Sequence, residues 1–227
     1  MALPTLVSIQ VGRPRLLDAD VPEGPMQGPW TSGFSKEPVA GPVRVTAANL
    51  DGDGQADLEN HGGPDKAVCV YSADHLPYWA EHLGLTEMTF GAFGENFTLG
   101  NLVEPGVCIG DVWEIGSAVF QVSQPRQPCW KLARRWRVKT LAAQVQQTGF
   151  TGWYFRVLAE GIVEAGQTLR LADRPCPEWT VARANRVMHI DKDDHRQAAE
   201  LATLPWLAAS WRHQLDKRVA TAAAGPA

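Results

Sequence analysis

Apolar residues along this chain fall into short runs divided by glycine, proline and acidic turns, and only the C-terminal quarter carries sustained helical periodicity. Leu6 to Val11, Val43 to Ala47, Ala67 to Tyr71, Val107 to Ile115, Ala118 to Ser123, Trp153 to Leu158 and Thr168 to Leu171 each read as a strand. Several alternate or are rich in Val, Ile, Phe and Tyr, which suits a pleated, half-buried surface. Short strands at this density predict a barrel or a folded sheet.

Helical spacing first enters at Asp74 to Leu83, stopped by Gly84; Pro77 fits only in the first turn. A second stretch, Trp130 to Gln147, should break near Val138 and Lys139 and end at Gly149. Beyond Pro175 and Pro177, Val181, Ala184, Val187 and Met188 recur at helical spacing, followed by His195 to Thr203 and Leu204 to Arg218. In the last segment Trp206, Leu207, Ser210, Trp211 and Leu215 share a face. Three helices this short bury little by themselves, so they are expected to dock on the β part. The chain thus reads as mainly β with α (α+β): a β-barrel domain over residues 1–173, a three-helix extension over 176–218 and a loose tail over 219–227.

Composition narrows the class. Lys and Arg number 21 against 25 Asp and Glu, a net charge of −4. This excludes the broad basic surface that nucleic-acid binding needs. Hydrophobic residues make up 44% and charged residues 20%, which excludes dominant disorder. The N-terminus lacks a basic stretch followed by an apolar one, and no run approaches the roughly 20 apolar residues of a membrane helix. A soluble, cytoplasmic protein with no membrane contact is expected, its cysteines at 69, 108, 129 and 176 as thiols.

Four segments carry candidate chemistry. In Gln121-Val-Ser-Gln-Pro-Arg-Gln-Pro-Cys-Trp-Lys, a strand runs into Pro125 and Pro128, and Cys129 opens a predicted helix with Arg126 and Lys131 nearby. Those surroundings favour thiolate over thiol, a nucleophile or a soft-metal ligand. Cys69, Cys108 and Cys176 read as packing residues. In Glu59-Asn-His-Gly-Gly-Pro-Asp-Lys-Ala, two glycines present His61 as an acid or base, a metal ligand or a turn residue. Phe90-Gly-Ala-Phe-Gly-Glu-Asn-Phe reads as a flexible loop offering Glu95 and Asn96 to a polar heterocycle. Phe34-Ser-Lys-Glu-Pro-Val offers Lys36 to an anion and Glu37 as orienter of a histidine or proton carrier. Asp51-Gly-Asp-Gly-Gln-Ala-Asp fails as a calcium loop, with Ala56 where Gly is needed and Gly62 where Glu is needed, and reads as an acidic turn. Neither a zinc spacing nor a serine nucleophile elbow occurs.

Taken in order, these segments resemble the MOSC family, named for the C-terminal domain of molybdenum cofactor sulfurase, in its stand-alone bacterial YiiM-type branch. Phe34-Ser-Lys-Glu-Pro-Val, Leu50-Asp-Gly-Asp-Gly-Gln-Ala-Asp, Asn60-His-Gly-Gly-Pro-Asp-Lys-Ala-Val, Phe93-Gly-Glu-Asn, Ile109-Gly-Asp, Gln124-Pro-Arg-Gln-Pro-Cys-Trp-Lys-Leu and Thr151-Gly-Trp-Tyr-Phe-Arg-Val-Leu carry the likeness. The region from Cys176 to Arg218 is similar to the three-helix extension of that branch. The resemblance implies a MOSC β-barrel and a molybdenum cofactor (Mo-molybdopterin). It also implies Cys129 as thiolate ligand to molybdenum, with His61 and Glu37 beside it as catalytic residues. Lys36, Arg126 and Arg156 are then candidates for the cofactor's phosphate, and Glu95 and Asn96 for its pterin.

The implied activity is reduction of N-hydroxylated compounds of the hydroxylaminopurine type, with His61 as proton donor. No iron–sulfur spacing, haem motif or dinucleotide fingerprint occurs in the chain, so a separate electron-donating reductase is expected as partner. The alternative is a sulfur carrier or cofactor-handling protein with a Cys129 persulfide and no substrate turnover. Nine Trp could furnish a homodimer interface as readily as a core.

Overall fold

The computed structural model describes residues 2–24, 27–57 and 61–224. Strand β1 (Thr5–Val11) leads to a hairpin of β2 (Arg15–Leu17) and β3 (Trp30–Ser32), then to the short strands β4 (Glu37–Pro38) and β5 (Val43–Val45). After the acidic turn and His61 come β6 (Val68–Ser72), helix α1 (Leu76–His82) and β7 (Phe97–Gly100). A hairpin of β8 (Val112–Ile115) and β9 (Ala118–Pro125) feeds helices α2 (Trp130–Trp136) and α3 (Leu141–Thr148). Strands β10 (Trp153–Ala159), β11 (Gly161–Val163) and β12 (Arg170–Asp173) complete the β part. Helices α4 (Val181–His189), α5 (His195–Ala202) and α6 (Ala209–Ala224) form the extension.

Eight strands form one sheet in the order β12-β8-β9-β10-β6-β7-β1-β4, antiparallel except for the β6–β7 pair. The N-terminal half of β1 also bonds the segment that enters β12: Leu6 N–H to Gln167 O at 2.8 Å, Gly166 N–H to Leu6 O at 2.7 Å and Leu169 N–H to Pro4 O at 2.9 Å. Those bonds curl the sheet back on itself, so the expected barrel is present as a curled half-barrel closed by irregular pairing. Alternate residues of the strands (Leu6, Val70, Phe97, Phe120, Val122, Phe155) fill its interior.

The helices break where backbone strain demands. Pro77 sits in the first turn of α1, where its missing N–H costs nothing. Arg137 adopts φ +54° between α2 and α3, and Gly149 (φ +75°) caps α3. In the extension, Thr180 and Asp194 cap α4 and α5 through their side chains.

Several expectations need correction. Strand β7 begins at Phe97, the last residue of the expected flexible loop, and runs through residues 98–100, for which no strand was expected; all four of its residues are buried. The strand expected from Val107 begins only at Val112. The last helix starts at Ala209, not Leu204, and runs to Ala224, so residues 219–224 are helical where a tail was expected; 225–227 lie outside the described residues. The extension shares the barrel's core: Trp179, Val181, Leu201, Leu207, Trp211 and Leu215 pack in one cluster with Val107, Ile109 and Val122. All four cysteines are free, and among the described residues no helix is long and apolar enough to cross a membrane.

Candidate functional site

Strand β9 positions the site. Pro125 ends it, Arg126 N–H bonds Gly152 O at 3.0 Å, and Pro128 leads the chain to Cys129 at the N-cap of α2. A register shift in the β9–β10 pair leaves Ser123 out of the ladder with β10. Its carbonyl instead accepts the Ala208 N–H at 2.9 Å, which brings the start of α6 to the same end of the barrel as Cys129.

Cys129 lines two connected spaces. The inner one, about 70 Å³, is bounded by Lys36, Cys69, Asn96, Arg126 and Lys131 among others. The outer vestibule, about 370 Å³, shares His61, Lys66, Gln127, Cys129 and Tyr154 with it and is completed by Asp57, Gln124, Trp130, Ser210 and Gln214. Four cationic side chains therefore face the inner space of a chain whose net charge is −4.

Burial by itself would push the Cys129 thiol up. A hydrogen bond from His61, the Arg126 guanidinium and the Lys131 backbone N–H outweigh it and bring the thiol down to about 7. By contrast burial raises Cys69, and Cys176 is pushed up to about 12 by burial and Glu178. Cys129 is thus the thiol set apart by its electrostatics. Cys69, read from the sequence as packing, nevertheless reaches the inner pocket, hydrogen-bonded to Tyr154.

His61 stands beside Cys129 as expected, but its orienter is Asp57, whose Oδ2 lies 3.2 Å from His61 Nδ1. Lys131 Nζ is 3.4 Å from the same nitrogen. Glu59 and Asn60 of this loop lie outside the described residues. Glu37 is not at the site. Side chains alternate along the segment, so Lys36 turns inward while Glu37 is 73% exposed and pairs with Arg15 at 3.4 Å.

Lys36 reaches the pocket but is held by the fully buried Asp53 carboxylate. Asn96 also lines it, yet its amide is already engaged: Oδ1 accepts from Cys69 N–H (3.1 Å) and Nδ2 donates to Asp53 Oδ2 (2.9 Å) and Gln10 O (3.2 Å). Its work is to hold Asp53. Glu95 is wholly buried and accepts from Gly91 N–H (2.7 Å), Phe93 N–H (3.0 Å) and Thr98 Oγ1 (2.9 Å), so it shapes the loop and contacts no ligand space. Gly94 in that loop has φ +74° and a Cβ there would meet the Phe34 ring at 2.8 Å, which is why glycine stands there.

Arg156 is also displaced from the assigned role. Its guanidinium binds Asp65 Oδ1 (2.9 Å from Nε), Gln121 Oε1 (2.8 Å) and Trp206 O (3.2 Å), joining barrel to extension. Arg126 fits best. It is 4% exposed, donates through Nη2 to Phe93 O, and its buried Nη1 has no partner among the described residues. Residues missed by sequence reading are Asp57, Asp53, Tyr154 and the α6 pair Ser210 and Gln214. The i,i+4 spacing of Asp57 and His61 was the one readable signal.

Comparison with known proteins agrees with this architecture. The MOSC domain family matches residues 57–170, and the YiiM-like, 3-alpha helix domain matches 179–222. A Bacillus subtilis protein described as uncharacterized protein YflK is 44% identical over 214 residues, covering 94% of each chain. A Gibberella moniliformis protein named Reductase is 35% identical over 203 residues, 88% of this chain but 35% of that one. The crystal structure of YiiM from Geobacillus stearothermophilus superposes with a TM-score of 0.80 at 39% identity, covering 95% of this chain and 99% of that one. These matches, over a half-barrel joined to three docked helices, show that this chain belongs to the MOSC-domain family, with the YiiM-type organisation.

Proposed function

We propose that this protein binds a molybdenum–pterin cofactor at Cys129 and reduces N-hydroxylated compounds with electrons from a partner reductase. The observation that carries the reading is the Cys129 thiol, lowered to about 7 in a buried pocket beside Arg126. A soft metal prefers a thiolate, and the orphaned Arg126 Nη1, with Lys131 nearby, suits an anionic group. Among the described residues no group of three His, Cys, Asp or Glu side chains is disposed to hold a metal ion, so Cys129 is read as one protein ligand to a metal whose other ligands belong to the cofactor. When bound, such a cofactor supplies a two-electron centre.

The chain's own residues account for the rest. Reductive N–O cleavage converts R–NHOH, two electrons and two protons to R–NH2 and water, so a proton must reach the departing oxygen. His61 is the residue we assign to that delivery; its hydrogen bond to Cys129 and its contact with Asp57 support the assignment. Lys131 Nζ, 3.4 Å from the same ring, adds positive charge beside it. The similarity to a protein named Reductase supports the redox class.

The test is molybdenum content and hydroxylamine reduction with an artificial electron donor, comparing the native protein with Cys129→Ala. A loss of at least about 100-fold is expected, the upper end of what removal of a mere outer-shell partner costs. Equal turnover in both proteins overturns the assignment. An added sulfur mass on Cys129 with no turnover instead supports a sulfur carrier.

A further inference from the structure

Charge is distributed unevenly along this chain. From Ile115 to Ala159 it carries seven Lys or Arg and no Asp or Glu, although the whole chain has a net charge of −4. Four of the seven are engaged within the fold: Arg126 and Lys131 at the Cys129 pocket, Arg156 on Asp65, and Arg134 on Gly28 O and over the Trp30 ring. The other three, Arg135, Arg137 and Lys139, are exposed at the end of α2 and just beyond it.

Stability alone does not call for those three charges. Arg135 rests on the Trp136 ring at 5.6 Å, and none of the three has an acidic partner among the described residues. Five other exposed arginines do: Arg15, Arg44, Arg170, Arg186 and Arg196 each pair with a carboxylate. The negative end of the α2 dipole favours a cation in its last turn, which accounts for Arg135. Arg137 and Lys139 lie past that turn, and Arg135 stands four residues from Lys131, a like-charge spacing that destabilises a helix.

Their position gives the charges a use. Helix α2 starts beside Cys129, and at about 1.5 Å per residue Arg135 is about 9 Å along the axis from it. Trp130 borders the vestibule over Cys129 and packs against Trp30 (ring centroids 5.4 Å apart) and Arg134 (5.8 Å). The lip of the vestibule and the basic end of the helix are thereby one continuous surface. A cationic surface of this kind steers an anionic partner and sets its orientation. An extended polyanion such as nucleic acid would also meet the acid-rich remainder of the chain, whereas a folded partner need only cover the patch.

We propose that the surface of α2 bearing Arg135, Arg137 and Lys139 is the docking site for the electron donor, a redox protein whose own cofactor lies within a ring of Asp and Glu. The proposal rests on the reductive reading of the Cys129 site. For each R–NHOH converted to R–NH2 and water, the partner's reduced cofactor gives up two electrons and is left oxidised, while two protons enter from solvent.

The test uses the protein purified with its cofactor, a flavodoxin as an acidic, FMN-bearing probe, and a triple variant combining Arg135→Glu, Arg137→Glu and Lys139→Glu. Calorimetric association with the flavodoxin should weaken at least about 100-fold in the variant. In the native protein it should weaken between about 0.1 M and about 1 M salt, as the Debye length falls from about 10 to about 3 Å. Hydroxylamine reduction driven by limiting reduced flavodoxin should fall at least about 100-fold in the variant, while the rate driven by reduced methyl viologen, a small donor that needs no docking surface, stays within about twofold of native. No association by the native protein, or either flavodoxin quantity unchanged in the variant, overturns the proposal. An equal loss with both donors places the charges in the site itself and also overturns it. So does binding of a single-stranded oligonucleotide that the variant loses while flavodoxin binding stays. If the native protein reduces nothing with methyl viologen, yet its flavodoxin association is lost in the variant, the docking surface stands and the reductive reading alone falls.

Discussion

Asp57 Oδ2 lies 3.2 Å from Nδ1 of His61, four residues on, and so directs the ring that hydrogen-bonds the Cys129 sulfur. The thiol's acidity is consequently a property of three elements: the acidic turn, the glycine-rich loop and the β9–α2 junction. Cys129 should react with iodoacetamide at a rate that rises through pH 7, since the thiolate is the nucleophile. In His61→Ala the burial that opposes ionisation loses its main counterweight, and the midpoint should move upward by at least about one pH unit. Asp57→Asn should shift it by less, and in the same direction. A midpoint unchanged in His61→Ala would show that the histidine does not set the thiol.

Glu95 and Glu37 make a contrasting pair of carboxylates. Glu95 satisfies two backbone N–H groups and a hydroxyl in a fully buried position, so Glu95→Ala should cost about 3–5 kcal/mol, read as a fall in urea midpoint. Glu37→Ala, on an exposed contact with Arg15, should change stability by less than about 0.5 kcal/mol and leave Cys129 reactivity unchanged.

His189, at the end of α4, is set edge-on to Trp211 with Nε2 buried and unpartnered. Burial, then Lys192 and Arg218, pull its pKa from 6.5 down to about 4. Between those values the unfolded chain binds a proton that the folded chain does not. Stability should therefore be lost as pH falls from 6.5 to 4, by about 2 kcal/mol after allowance for partial exposure, with no further loss from this group below 4. Urea midpoints across that window should slope less in His189→Phe than in the native protein.

Asp65 ties the barrel to the extension by accepting from Arg156 and from the Ala209 N–H. Asp65→Ala should leave the barrel amides protected while hydrogen exchange speeds up over residues 204–224, at a cost of about 1–3 kcal/mol. Uniformly faster exchange across β6, β9 and β10 would show instead that the two parts unfold as one unit.

Local pattern was sufficient for most strands, the helix break near Val138 and the docking of three C-terminal helices, because these depend on apolar periodicity and on proline and glycine. Strand β7 was hidden because its burial on both faces removes the alternation that marks a half-buried strand. The helical reach of residues 219–224 was hidden in an alanine-rich run that reads as a tail.

By itself, the sequence determined the order of the motifs, the MOSC architecture they imply, and the prominence of Cys129 and His61, which sit in short, chemically distinctive segments. Only the tertiary structure decided which neighbours act on them. Glu37 and Lys36 are adjacent in the chain, yet the period of two sends one to solvent and the other to the pocket. Arg126 and Arg156 carry the same charge, but one keeps an unpartnered nitrogen beside Cys129 and the other is consumed by Asp65, Gln121 and Trp206. A residue's type sets what it can donate or accept; strand register and the packing of α6 set who is within 3 Å to receive it.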